Sequence, residues 1–186
     1  MTTLQVHTIE TAPEASHALL EKSVKAYGGI PGLHGVLAGA PGLLEAYQTI
    51  HQLFVDSSFN NEELTVVWQT INVEHACHYC VPAHTGIANM MKVDPAITEA
   101  LRNGEAMPNE KLQALHEMTL TIVRNRGHVS QEELDAFYAA GYGERQLLEI
   151  ILGLSQKVIS NYTNHIANTP VDAQFKKYAC TADSKS

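Results

Sequence analysis

Apolar positions recur with helical spacing along most of the chain. Between Pro41 and Val55 they fall at Leu43, Leu44, Tyr47, Ile50, Leu53 and Phe54, one face of a helix. From Pro108 to Arg126 the same spacing runs through Leu112, Leu115, Thr119, Ile122 and Val123, and Gly127 stops it. Glu144 to about Asn168 predicts the longest helix, with LLEIILGL near its start and Pro170 as its breaker. Three segments read as capping boxes: Thr11-Ala12-Pro13-Glu14, Asn60-Asn61-Glu62-Glu63 and Ser130-Gln131-Glu132-Glu133. The first opens a helix that stops before Gly28-Gly29, where a glycine-rich loop follows; the third opens one that Gly141 ends. Asp94-Pro95 starts a short helix ending near Gly104, and Val171 to Ala179 predicts a last short turn or helix.

The run LTVVWQTINV after the second box reads two ways. Its Val, Trp, Thr and Ile favour a strand on propensity. The cap in front of it, and the lack of any other strand-like run, favour a buried helix. No hairpin signal occurs. The expected fold class is all-α, a helical bundle. Glu63 and His84 frame one segment, and Glu144 and His165 frame a later one of equal length with apolar residues at several matching places. Chance similarity of amphipathic helices and an ancient internal repeat both account for this echo.

The 186 residues fit a single domain over 1-186, and 45% apolar with 17% charged residues exclude a disordered or fibrous chain. A net charge of −8 disfavours nucleic acid as a partner. The longest uncharged stretch, Ala26 to Leu44, is too broken by glycine and proline to span a membrane. The first twenty residues lack the basic and apolar regions of a secretory signal, so a cytoplasmic location is expected.

Chemistry concentrates in Glu74-His75-Ala76-Cys77-His78-Tyr79-Cys80-Val81-Pro82-Ala83-His84. Three cysteines, Cys77, Cys80 and Cys180, cannot build a disulfide framework. Cys77 and Cys80 form a Cys-x-x-Cys pair, and Cys180, near a polar tail, reads as incidental. Pro82 belongs in a first turn, so the helix containing it should start around His78 to Tyr79. Both sulfurs then sit at the electropositive end, where a thiolate is favoured. His84, four residues after Cys80, lies one turn on; its imidazole could take the thiol proton and, once charged, stabilise the thiolate. Glu74 just upstream, or Glu63 if its helix packs alongside, could orient the imidazole or relay protons. Glu63 also reads as a plain capping residue, Glu74 as a solvated carboxylate, and His75 and His78 as facing solvent. Asn161 and His165 read as satisfied polar residues. Zinc is the chemical competitor: Cys77, Cys80 and His84 with His75 or His78 supply enough ligands. Structural zinc sites usually draw on two separated segments, so neither metal nor cofactor is expected.

The pattern CHYCVPAH resembles the carboxymuconolactone decarboxylase superfamily, and within it the alkylhydroperoxidase D-like branch. The hallmark of that branch is Cys-x-x-Cys-x-x-x-His with a glutamate upstream, matched at Cys77, Cys80 and His84. PGLLEAYQTIHQLF, TVVWQTINVEHACHYCVPAHT, VSQEELDAFYAAGYGERQLLEIILGLS and SNYTNHIANTPVD extend the resemblance to peroxidase-related members. It implies an all-helical fold, assembly into a homo-oligomer (trimer or hexamer), and thiol-dependent reduction of a hydroperoxide substrate. A thiolate attacks the peroxide oxygen and becomes a sulfenic acid, and its neighbour condenses with it to a Cys77–Cys80 disulfide. An external dithiol reductant restores the pair; in the best-known branch it is a lipoyl group on a carrier protein. The branch glutamate, twelve residues before the first cysteine, falls here on Thr65, so Glu63 or Glu74 would substitute. Tyr79 stands where the best-known member has histidine, which leaves the proton work to His84. Cys80 is read as the attacking thiol because His84 is one turn away, with Cys77 resolving; the opposite split is also open. The decarboxylase proper lacks the cysteine pair. A lactone or keto-acid enzyme with spectator thiols is one alternative, and a non-catalytic zinc-stabilised scaffold is another.

Overall fold

The computed structural model describes residues 4–179. Among them are nine α-helices: α1 His17–Tyr27, α2 Gly32–Leu37, α3 Pro41–Val55, α4 Asn61–Glu74, α5 Cys80–Met90, α6 Pro95–Asn103, α7 Glu110–Arg124, α8 Gln131–Ala139 and α9 Glu144–Ala167. Short 3-10 turns cover Glu14–Ser16 and Ala173–Tyr178, and no described residue lies in a strand. The fold is all-α, as the periodicity predicts. No helix among the described residues is long and apolar enough to cross a membrane.

Helix α4 is the hub. It packs against α5, α6, α7 and α9, and every residue from Glu63 to Asn72 is buried. A helix enclosed on all sides has no polar face to display, which explains why LTVVWQTINV lacks an amphipathic signature. Its start is set by a true capping box. Asn60 accepts from the Glu63 N–H at 3.0 Å, and Glu63 accepts from the Asn60 N–H at 3.0 Å. Local capping and tertiary enclosure override the strand propensity of its β-branched residues.

Two apolar clusters form around this hub. The larger gathers Phe54, Trp68, Ile71, Leu115 and Ile150; the smaller gathers Leu20, Leu37, Leu44 and Tyr47 with Cys77, Tyr79 and Cys80. Helix α9 packs on α2, α3, α4 and α5, so its inner face reaches both clusters.

Several local expectations are corrected. Thr11 and Glu14 form no capping box: the Thr11 hydroxyl accepts from the Thr8 N–H at 2.9 Å, and α1 begins only at His17 after a 3-10 turn. The glycine-rich stretch holds α2. A Cβ on Gly35 would stand 2.7 Å from Val6 and 2.9 Å from the His7 carbonyl, so this glycine marks close packing on the preceding segment. Helix α5 starts at Cys80, a residue or two later than Pro82 alone predicts. The framed segments differ too: 63–84 runs through α4, a break and α5, whereas 144–165 lies within α9.

At Gly153, α9 approaches α3 and α4 closely. A Cβ there would lie 2.7 and 2.9 Å from the fully buried Phe54 ring and 3.1 Å from Val67. Gly153→Ala gains about 1 kcal/mol of helix propensity but overpacks a tight core, a penalty of about 1–3 kcal/mol. Thermal melting is expected to show a net fall of a few degrees, on the order of 2–4 °C per kcal/mol lost; a rise would refute this close approach.

Candidate active site

The turn between α4 and α5 places the first cysteine. Ala76 adopts a left-handed conformation with φ 50°, its N–H bonds the Val73 carbonyl at 2.9 Å, and the Cys77 N–H bonds the Asn72 carbonyl at 2.9 Å. This is a Schellman closure with alanine in the position glycine usually takes. It turns the chain back so that Cys77 lies at the foot of α5. The Cys80 N–H then donates to the Cys77 sulfur at 3.3 Å, and both thiols are free. The helix-terminal amide therefore serves Cys77, not both sulfurs.

Cys80 draws its partners from α9. Lys157, Ser160, Asn161 and Asn164 are fully buried on the inner face of that helix. The Asn164 side-chain amide donates to the Cys80 sulfur at 3.3 Å. Asn161 donates to Asn72 at 3.0 Å and meets His75 Nδ1 at 2.9 Å, tying α9 to the end of α4. Lys157 Nζ lies 2.5 Å from His84 Nε2 and 5.5 Å from the centre of the Trp68 ring. Gln156 accepts from the Trp68 indole N–H at 2.8 Å.

A cavity of about 540 Å³ opens onto this group. Cys80, His84, Lys157 and Trp68 line it; Cys77 does not. Its wall is a run of rings, Tyr27, His34, Tyr47, His51, Trp68 and His84, with successive centroids 5.5, 5.4, 6.3, 5.9 and 4.9 Å apart. The other side is closed by Tyr79 and by Asp172, Gln174 and Phe175 near the last 3-10 turn. Tyr79 donates to Asp172 at 2.6 Å and accepts from the Leu33 N–H at 3.2 Å, which pins α2 and the C-terminal segment to α5.

The two thiols are electrostatically unlike. Burial by itself would push the Cys80 thiol up. A hydrogen bond from the Cys77 thiol, the Lys157 charge, and bonds from Asn164 and Asn161 outweigh it and bring Cys80 down to about 6. Cys77 moves up, because it donates to the Cys80 sulfur, is buried and faces that sulfur's charge. Burial, with Lys157 and His51 nearby, holds His84 well below the ordinary imidazole value. Burial lowers Lys157 to about 8, against the opposing pull of Cys80 and Cys77. His34 and His51 are also driven down, to about 4, mainly by burial.

His84 thus lies beside Cys80 as its spacing predicts, but its Nε2 faces Lys157 and it is held neutral. The positive charge expected from an imidazolium comes from the lysine. The two carboxylates are not brought to the pair. Glu63 is engaged in its cap and in an ion pair with Lys111 at 3.0 Å. Glu74, at the other end of α4, forms a two-pronged bridge to Arg124 at 2.8 and 2.7 Å. Neither lines the cavity. His78 and His165 are exposed, and His75 is half-buried against Asn161. Among the described residues no three His, Cys, Asp or Glu side chains gather as a metal site. Cys180 lies outside the described residues. Sequence reasoning missed Lys157 and Asn164. Their signal was spacing: 157, 161 and 164 continue the inner stripe of Ile150 and Gly153 along α9.

Comparison with known proteins defines the fold. The chain is similar to an alkylhydroperoxidase AhpD core, an uncharacterized peroxidase-related protein from Ralstonia eutropha, with a TM-score of 0.82 over 94% of each chain at 16% identity. A peroxidase-related protein from Silicibacter sp. gives 0.74, covering 94% of this chain and 93% of that one at 14% identity. The debrominase Bmp8, solved as a cysteine-to-alanine variant in complex with 2,3,4-tribromopyrrole, gives 0.79 over 96% of each chain at 15% identity. No protein-family model matches the sequence, and no curated relative does. The fold is therefore that of the alkylhydroperoxidase D-like helical proteins.

The reactive form of a thiol is its anion, so the lowered Cys80 value has a direct readout. Alkylation of Cys80 by iodoacetamide should rise as pH passes upward through about 6 and level off above it. At pH 7 about 90% of the sulfur is then ionised. Peptide mapping should find Cys77 unlabelled; a rate that climbs only near pH 9 would contradict the assignment.

Proposed function

We propose that the protein is a single-domain, thiol-dependent hydroperoxide reductase of the alkylhydroperoxidase D-like branch, with Cys80 attacking and Cys77 resolving. The asymmetry of the pair carries this reading. Cys80 faces the cavity with a stabilised thiolate, and Cys77 sits behind it, protonated and 3.3 Å from the Cys80 amide. The thiolate attacks the terminal peroxide oxygen, the O–O bond breaks, and Cys80 becomes a sulfenic acid as an alkoxide leaves. Cys77 then displaces water from that sulfur to close the disulfide. An external dithiol, such as a lipoyl group on a carrier protein, reduces it by exchange. His84 takes part through Lys157; Glu63 and Glu74 have no part in the relay.

A second reading rests on the ring-lined cavity and on the likeness to Bmp8. The same thiolate–thiol pair could supply two electrons to a brominated ring, giving the ring C–H, bromide and the disulfide. Both readings require both sulfurs, and the product separates them. With a dithiol reductant, Cys80→Ser is expected to abolish peroxide turnover. Cys77→Ser should give one stoichiometric event with a sulfenic acid that dimedone traps. Full turnover by either variant would sink the peroxidase reading, and anaerobic bromide release from a bromopyrrole would favour the second.

Self-association belongs to the same reading. Leu148, Ile151 and Tyr162 leave an exposed apolar stripe on the outer face of α9, which a second copy would cover. Ile151→Asp should shift the mass seen by light scattering from an oligomer towards the monomer; an unchanged mass would exclude this face.

A further inference from the structure

Lys157 stands out among the buried groups. It is wholly enclosed, yet it belongs to no ion pair among the described residues. Its ammonium meets an imidazole nitrogen and the face of an indole. The ionisable groups facing it are His51 from α3 and Cys77, Cys80 and His84 at α5. Helix α4 adds only Trp68, and α7 adds no ionisable group to this surrounding. His34 of α2 lines the same cavity but bonds Ser23 at 2.8 Å, and Asp172 across it is held by Tyr79 and the Gly32 N–H. A buried ammonium needs an anion beside it or gives up its proton. Here the available anion is the Cys80 thiolate.

That anion disappears whenever Cys80 is oxidised. We propose that Lys157 is the proton store of the thiol cycle, charged while Cys80 is a thiolate and donating its proton to the oxygen that leaves when Cys80 is oxidised. This rests on the peroxidase reading for its substrate. The step balances: thiolate, ammonium and hydroperoxide give sulfenic acid, free amine and alcohol. Sulfenic acid and the Cys77 thiol then give disulfide and water. An external dithiol plus the free amine restores thiolate, thiol and ammonium. His84 acts as a positioning residue, since its Nε2 fixes the lysine nitrogen at the cavity floor. The direction agrees with the titration of the reduced site, where sulfur charges oppose burial in setting Lys157 near 8. Without those charges burial acts nearly alone and favours the neutral amine.

The test has one arm free of peroxide. Diamide converts the wild-type dithiol to the disulfide, and Lys157 is then labelled at pH 7 with formaldehyde and cyanoborohydride, read by mass spectrometry of its peptide. The disulfide form and the Cys80→Ser variant should label about five- to tenfold faster than the reduced wild type, since a lysine near 8 is about one-tenth amine at pH 7 and a fall of one to two pKa units brings it to between about one-half and nine-tenths. Equal labelling in all three would overturn the proposal. In the second arm Lys157→Arg keeps the charge but cannot release a proton. Its Cys80 alkylation midpoint should stay near 6, while sulfenic acid formation from cumene hydroperoxide slows at least about tenfold and the wild-type decline above pH 8 disappears. Lys157→Met should raise the alkylation midpoint by more than about one pH unit. Unaltered peroxide kinetics in Lys157→Arg would refute the donor role. Switching of the label without any wild-type peroxide consumption would sink the peroxidase reading alone.

Discussion

An ammonium taken wholly out of water must find an anion or lose its proton, and this site is arranged around that constraint. Lys157 on α9 and Cys80 at the first turn of α5 line the same cavity, where the lysine charge acts on the sulfur. The helix packing that forms the core is therefore also what brings charge to sulfur. The cysteine pair is local in sequence, but beside the hydrogen bond from Cys77 the charge and amides that lower Cys80 come from about eighty residues away.

The division of labour between the sulfurs follows from where donors point. The backbone amide at the start of α5 is directed to Cys77, while side-chain donors from α9 converge on Cys80. Burial raises both thiols; at Cys80 the hydrogen bond from the Cys77 thiol, with the Lys157 charge and the α9 amides, reverses it. The imidazoles of the cavity wall are kept neutral by burial. Lys157 therefore keeps its influence over the sulfur without competition from nearby cations.

Much of the helix pattern was legible in the sequence because its signals are local. Caps at Asn60, Asp94 and Ser130 and stops at Gly104 and Gly141 act within a turn of themselves. The cysteine pair and His84 were legible for the same reason. The rest depended on enclosure. Glu63 and Glu74 carry the right chemistry for a relay, but they sit at opposite ends of α4 and face Lys111 and Arg124. The segment after Gly28-Gly29 looked like a loop because its glycines serve close packing. Lys157 was not singled out, since a single lysine in a long helix gives no sign of which face it occupies until the neighbours are known.

The chain has one tryptophan, and it lies at the centre of this arrangement. Trp68 packs against His84 and His51, lies beneath the Lys157 ammonium and hydrogen-bonds Gln156. Its emission is therefore an intrinsic optical gauge of whether the adjoining nitrogen is cationic. Each oxidation and re-reduction of the sulfurs would pass as a change in fluorescence, with no dye attached and no background from a second indole.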